Sequence, residues 1–168
     1  ATLWFTEGGG NAVVRRLPDG TRRAFAAGTA VAEGANGVTV DLSRQRLYYT
    51  EYDRGHIHRV DLTAASPTAV SVWRLPGAGL DGMTLDVCGN LYVVDQKNAR
   101  LYRVRTRPDG SAAAAPELLA SFPINVANPQ FGLGDAFSAQ TLYVSGNPGT
   151  IYAVSVGIAG AATFRPAP

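Results

Sequence analysis

"GLDGMTLDVCGNLYVVDQKNARLYRVRTRPDG", Gly79 to Gly110, reads as three short strands in succession. An Asp-Gly pair heads the apolar run "GMTLDVC" (Gly82–Cys88), "LYVVD" (Leu91–Asp95) follows, and the turn "QKNA" returns the chain into "RLYRVRT" (Arg100–Thr106). Brief turns rich in Gly and Asn between such runs have hairpin chemistry. Asp81 stands directly in front of the first strand, and Asn36 holds the matching place before "GVTVDLS" (Gly37–Ser43).

The rest of the chain repeats this unit. "LWFTE" (Leu3–Glu7), "LYYTE" (Leu47–Glu51), "LYVVD" and "LYVSG" (Leu142–Gly146) are one element four times, recurring after 44, 44 and 51 residues. Downstream of each come "AVVRRL", "HIHRVDL", "RLYRVRT" and "TIYAVSV". The runs "RRAFAA", "SVWRL", "ELLASF" and "AATFRP" supply a further outer strand. A period in the low forties is that of a four-stranded propeller blade. Any one "LYV" run needs no more explanation than a buried strand. Four copies in register with their flanks set an unrelated β-sandwich aside. No segment carries an apolar stripe at helical spacing, and "SAAAAPELLA" is broken by Pro116. The expectation is an all-β propeller of four-stranded antiparallel blades, at about 1–28, 36–76, 81–123 and 128–166 of one segment spanning 1–168. The first unit opens at its second strand, so about four blades are present. Closed propellers use about four to eight, so closure by further blades or by a second chain is expected.

Composition narrows the partners. With 46% apolar and 17% charged residues, the 168-residue chain reads as globular. A net charge of +2 and scattered arginines do not suggest nucleic acid. No apolar stretch approaches the roughly 20 residues needed to cross a bilayer as a helix, so no membrane partner is expected. Cys88 is the single cysteine, which excludes an internal disulfide. The chain opens on an apolar strand without a charged leader, so no targeting signal is expected in it. Compartment stays open.

"ANGVTVDLSRQRLYYTEYDRGHIHRVDL", "LDGMTLDVCGNLYVVDQKNARLYRVRTRPDG" and "NPQFGLGDAFSAQTLYVS" resemble three successive blades of the senescence-marker-protein, gluconolactonase and luciferin-regenerating-enzyme-like family. Its members are six-bladed calcium-dependent propellers, among them sugar-lactone hydrolases and related esterases. The resemblance runs from about Leu3 to Val156. It implies that Asn36 and Asp81 are metal ligands and that Asn128, before "PQFG", faces the same channel. The family's third ligand, a glutamate, and its substrate-contacting arginine have no counterpart here. "LWFTEGGGN" is equally similar to the seven-bladed streptogramin lyases.

In a propeller, the residue before each inner strand lies at the mouth of the axial channel. Asn36 and Asp81, 45 positions apart, would therefore meet on one rim. An amide oxygen and a carboxylate suit Ca²⁺ or another hard divalent cation, and the lack of a cysteine or histidine pair at a rim position argues against zinc there. Such an ion would polarise a lactone or ester carbonyl, with Asp81 as general base or water-orienting group. Read from spacing alone, Asn36-Gly37 and Asp81-Gly82 serve equally well as turn pairs chosen for positive φ.

Other residues are read as structural. His56 and His58 are assigned to opposite faces of their strand and given no joint role. Glu7, Glu51 and Asp95 are expected to serve the turn that follows each. Cys88 is expected to pack as a small apolar residue, and the tyrosines to pack between blades. The expected function is a calcium-dependent hydrolase of small lactones or esters. The alternative is a propeller that binds a small ligand, glycan or protein without turnover.

Overall fold

A computed structural model describes residues 2–9, 11–27 and 32–162. Among them fourteen strands and no helix form four antiparallel sheets. The first holds β1 (Leu3–Glu7), β2 (Ala12–Arg16) and β3 (Arg22–Ala27). The second holds β4 (Ala35–Asp41), β5 (Arg46–Glu51), β6 (His56–Asp61) and β7 (Ala69–Arg74). In the third lie β8 (Leu80–Leu85), β9 (Leu91–Asp95), β10 (Arg100–Val104) and β11 (Glu117–Ser121). The fourth has β12 (Val126–Phe131), β13 (Thr141–Gly146) and β14 (Thr150–Ser155). Each sheet is a meander in chain order, and the leading strands meet in the succession β1, β4, β8, β12. This is the blade arrangement of a propeller.

Alternation along each strand explains how the sheets stack. Successive side chains point to opposite faces, so Tyr49 joins Leu47, Val60 and Val13 between the first and second sheets. Tyr48 joins Ile57, Leu80 and Met83 between the second and third. A third cluster, with Tyr92, Leu101, Phe131 and Leu142, joins the third and fourth sheets. β5 and β9, the repeated "LYYTE" and "LYVVD", are buried almost throughout because both faces are covered. β14 alternates instead, with Ile151 69% exposed.

Two acids secure the far ends of the inner strands. Asp41 accepts hydrogen bonds from Ser43 Oγ (2.6 Å), the Arg44 amide (3.0 Å) and the Arg44 guanidinium (2.8 Å). Asp86, one repeat later, accepts from the Cys88 and Asn90 amides, the Asn90 side chain and the Tyr92 hydroxyl. Cys88 itself is exposed in that turn and does not pack as a small apolar residue. The reason is that β8 has already ended at Leu85, so the cysteine lies beyond the sheet. Of "AATFRP", residues 163–166 lie outside the described residues. The chain just before them crosses to the tail of β8, where Gly160 bridges Asp86 and the Ala161 amide donates to the Leu85 carbonyl.

At their heads, β4, β8 and β12 each carry a β-bulge. The register slips between Ala35 and Val38, between Leu80 and Met83, and between Val126 and Pro129. Neither Gly37 nor Gly82 has a positive φ, so these are not the turn pairs that spacing alone allowed. Their role is close approach. A Cβ on Gly37 would collide with the Asp81 carbonyl and lie 3.0 Å from Gly82 Cα; one on Gly82 would lie 2.8 Å from the Ala127 carbonyl oxygen and from Asn128 Cα.

Two outcomes follow from this packing. Gly82→Ala should lower stability by about 1–3 kcal/mol, as overpacking against backbone does, while Gly9→Ala, with open space around it, should be neutral in the same denaturant titration. Burial works against the charge of Asp41, but the hydrogen bonds from Ser43 and Arg44 outweigh it and hold the carboxyl below its ordinary value. A depressed acid stabilises above its unfolded pKa, and that contribution is lost as pH falls through the folded value. Asp41→Asn should thus be less stable than wild type at neutral pH, with the gap narrowing below about pH 4 in pH-dependent melts.

Candidate functional site

The bulges set the rim. Asn36, Asp81 and Asn128 each lie within the bulged stretch at the head of one of three neighbouring inner strands. Their backbones are in direct succession, Gly37 against Asp81 and Gly82 against Asn128. Asn36 and Asn128 are exposed, whereas Asp81 is 7% exposed. The structure thus brings the backbones of the three sequence candidates into succession at the strand heads.

Hydroxyls from the repeated second strands hold this arrangement. Thr50 Oγ1 accepts from the Gly37 amide (2.8 Å) in its own sheet and donates to the Asp81 carbonyl (2.8 Å) in the next. Thr6, its counterpart one repeat earlier, donates to the Asn36 carbonyl. Ser145, at the same place in "LYVSG", accepts from the Asn128 amide at 3.1 Å. Val94 occupies this position in the third sheet and has no hydroxyl to offer.

The Asp81 carboxylate is oriented by a short relay. Gln96 Nε2 donates to Asp81 Oδ2 at 2.7 Å, and Gln96 Oε1 accepts from the Tyr52 hydroxyl at 2.8 Å. Burial pushes the Asp81 carboxyl above its ordinary value, against a smaller opposing pull from the Gly82 amide. Sequence reasoning missed Tyr52 and Gln96. The available signal was their equivalence, each being the first residue after "LYYTE" or "LYVVD".

The three acids expected to serve turns separate on inspection. Asp95 does so, accepting from the Gly79 and Asn98 amides and the Asn98 side chain. Glu7 pairs with Arg22 on the outer strand. Glu51 is 1% exposed and lies 3.2 Å from His58 Nε2. His56 and His58 share one face, contrary to the expectation of opposite faces. A strand has a period of two, so residues i and i+2 line the same side. Their rings stack with centroids 5.3 Å apart. Burial, and then the neighbouring His58, push the His56 imidazole below its ordinary value, with Glu51 pulling the other way.

A cavity of about 730 Å³ lies farther along the inner strands, lined by Trp4, Arg15, Thr39, Thr84 and Gln130 among others. None of Asn36, Asp81 and Asn128 lines it.

No protein-family model matches the chain, and no curated protein matches it in sequence. Solved structures do share its fold. A luciferin-regenerating enzyme superposes with a TM-score of 0.69 at 19% identity, over 90% of this chain and 53% of that one. A calcium-binding protein, regucalcin from Agrobacterium tumefaciens, gives 0.66 at 17% identity, over 98% and 60%. A gluconolactonase from Xanthomonas campestris gives 0.63 at 19% identity, over 86% and 44%. The chain therefore spans about half the length of these proteins.

Thr50→Val removes both hydroxyl bonds, the one to Gly37 within the second sheet and the one to Asp81 of the third. It should cost about 1–3 kcal/mol in chemical denaturation, whereas Ser71→Ala, on an outer strand, should be near neutral. At these identities the likeness is one of architecture: the chain has the β-propeller blade fold shared by luciferin-regenerating enzyme, regucalcin and gluconolactonase.

Proposed function

We propose that the chain carries the metal-binding rim of a calcium-dependent hydrolase of small lactones or esters. The observation that carries this reading is the run of Asn36, Asp81 and Asn128 on adjacent bulged strand heads, locked by Gly37 and Gly82. Their donor set fits the ion. Two amide oxygens and a carboxylate are hard ligands of the kind Ca²⁺ takes, with water completing its six to eight positions. Asp81 also has a reason to attract a cation, since it is a buried acid whose described hydrogen-bond partners are uncharged.

When bound, the ion would supply Lewis-acid polarisation of the carbonyl and stabilise the oxyanion that develops on it. The residues of the chain do the rest. Gln96, backed by Tyr52, fixes the direction of the Asp81 carboxylate. Asp81 then accepts the proton of the attacking water as the carbonyl carbon turns tetrahedral. Collapse breaks the acyl C–O bond, and the proton passes to the departing alkoxide. Water gives its OH to the acyl carbon and its H to the leaving oxygen. Further blades, or a second chain, would complete the ring and the remaining ligands.

The second reading, a propeller that binds a small molecule without turnover, draws on the cavity. Its volume lies within the range of ordinary ligand pockets, and no rim residue lines it.

Calorimetric titration with Ca²⁺, followed by a panel of aldonolactones and aryl esters, tests both readings. The hydrolase reading expects Ca²⁺ binding, hydrolysis abolished by chelator, and a loss of about 100-fold or more in Asp81→Asn. Hydrolysis indifferent to chelator and to Asp81→Asn would overturn it. Saturable binding of a panel compound without turnover would support the second reading.

A further inference from the structure

Glu51, His56 and His58 form a cluster on the face of β5 and β6 turned toward the first sheet, with Glu51 opposite Ala35. Residue pairing brings them together: Glu51 lies opposite His56, and Tyr49 lies opposite His58, so two turns of the pleat gather an acid and two imidazoles. One ligand atom from each lies within 4.8 Å of those from the others. Glu51 is 1% exposed, and the His58 side chain is 9% exposed.

The unusual feature is how little satisfies them. Glu51 Oε1, His56 Nδ1 and both ring nitrogens of His58 are buried without a hydrogen-bond partner. His58 Nε2 is within ion-pair distance of Glu51 Oε2, but the approach is off-line for a hydrogen bond. Buried polar atoms are almost always paired, and a buried carboxylate oxygen left without a partner is costly. A proton on His58 would help one carboxylate oxygen at most and leave the other atoms orphaned. Arg54 and Arg74 also act on His56, but Arg54 is itself paired with Glu33.

We propose that Glu51, His56 and His58 bind a first-row divalent cation, zinc for preference, at a site separate from the rim. Two imidazole nitrogens and one carboxylate are a donor set that zinc takes, with bonds of about 2.0–2.2 Å. Calcium, which asks for oxygens alone, is a poor match. Closing the cluster onto such an ion needs side-chain movements on the order of 1 Å, for which half-buried His56 has the most room. Tyr49, stacked on His58 with centroids 5.0 Å apart, holds that ring in plane. All three ligands belong to β5 and β6, so the ion would brace that hairpin across its turn.

The test uses the full chain, stripped with chelator and titrated with Zn²⁺ alone or Co²⁺ alone. Expected are one equivalent of Zn²⁺ by calorimetry, a raised melting temperature, and visible d–d absorption from bound Co²⁺. All three should persist in Asp81→Ala, which separates this site from the rim. His56→Ala should weaken Zn²⁺ binding by more than about tenfold, beyond the lower end of what loss of an outer-shell partner costs. Glu51→Gln keeps the shape of the side chain and should do the same while remaining folded by circular dichroism. Absence of Zn²⁺ binding in the wild type would overturn the proposal. So would affinity unchanged in both His56→Ala and Glu51→Gln, or affinity lost in Asp81→Ala alone.

Discussion

Everything at the rim depends on how closely neighbouring inner strands approach one another. Gly37 lies against the Asp81–Gly82 backbone, and Gly82 lies against Ala127 and Asn128, with no room for a Cβ at either place. A bulge at each head makes the approach feasible, because it bends the strand and frees one residue from the ladder. The threonine and serine hydroxyls then take up backbone groups the bulges leave open. Residues 45 or more positions apart are thus brought together by the close approach of the glycines beside them.

This arrangement divides the labour along each inner strand. Its head presents a polar side chain and its middle packs between sheets, and after β4 and β8 a carboxylate, Asp41 or Asp86, ties down the next turn. Asp81 and Asp86 show the contrast within one strand. Asp86 is satisfied by two amides, an asparagine and a tyrosine, so its charge is spent on structure. Asp81 is buried to a similar degree, but the described hydrogen bonds to its side chain come from uncharged groups. An acid kept in that condition is poised to take a cation or a proton.

Much of the fold was legible in the sequence, because the recurrence of Leu3, Leu47, Leu91 and Leu142 carries register as well as period. The positions of Asn36, Asp81 and Asn128 followed from it. The function of the glycines did not, since a close approach between sheets is invisible in a local pattern and "DG" or "NG" equally marks a turn. The Gln96–Tyr52 relay was hidden for a similar reason, its members being 44 residues apart and unlike in type. The histidines were a different case. Their spacing of two already placed them on one face, and the error lay in assigning them to opposite ones. The inward pull of Glu51 is not readable from "LYYTE", because Glu7 at the same place pairs outward with Arg22. Cys88 misled through a strand end three residues earlier than "GMTLDVC" suggests.

The central claim is that one divalent ion sits where Asn36 and Asp81 meet on the rim. A crystal structure of the chain grown with Ca²⁺, with the ion located by its anomalous signal, tests this most directly. The account predicts a peak within coordination distance of an Asp81 carboxylate oxygen and the Asn36 side-chain oxygen, at about 2.3–2.6 Å. A rim without the ion at saturating Ca²⁺, or Asn36 and Asp81 side chains turned away from each other around it, would contradict it.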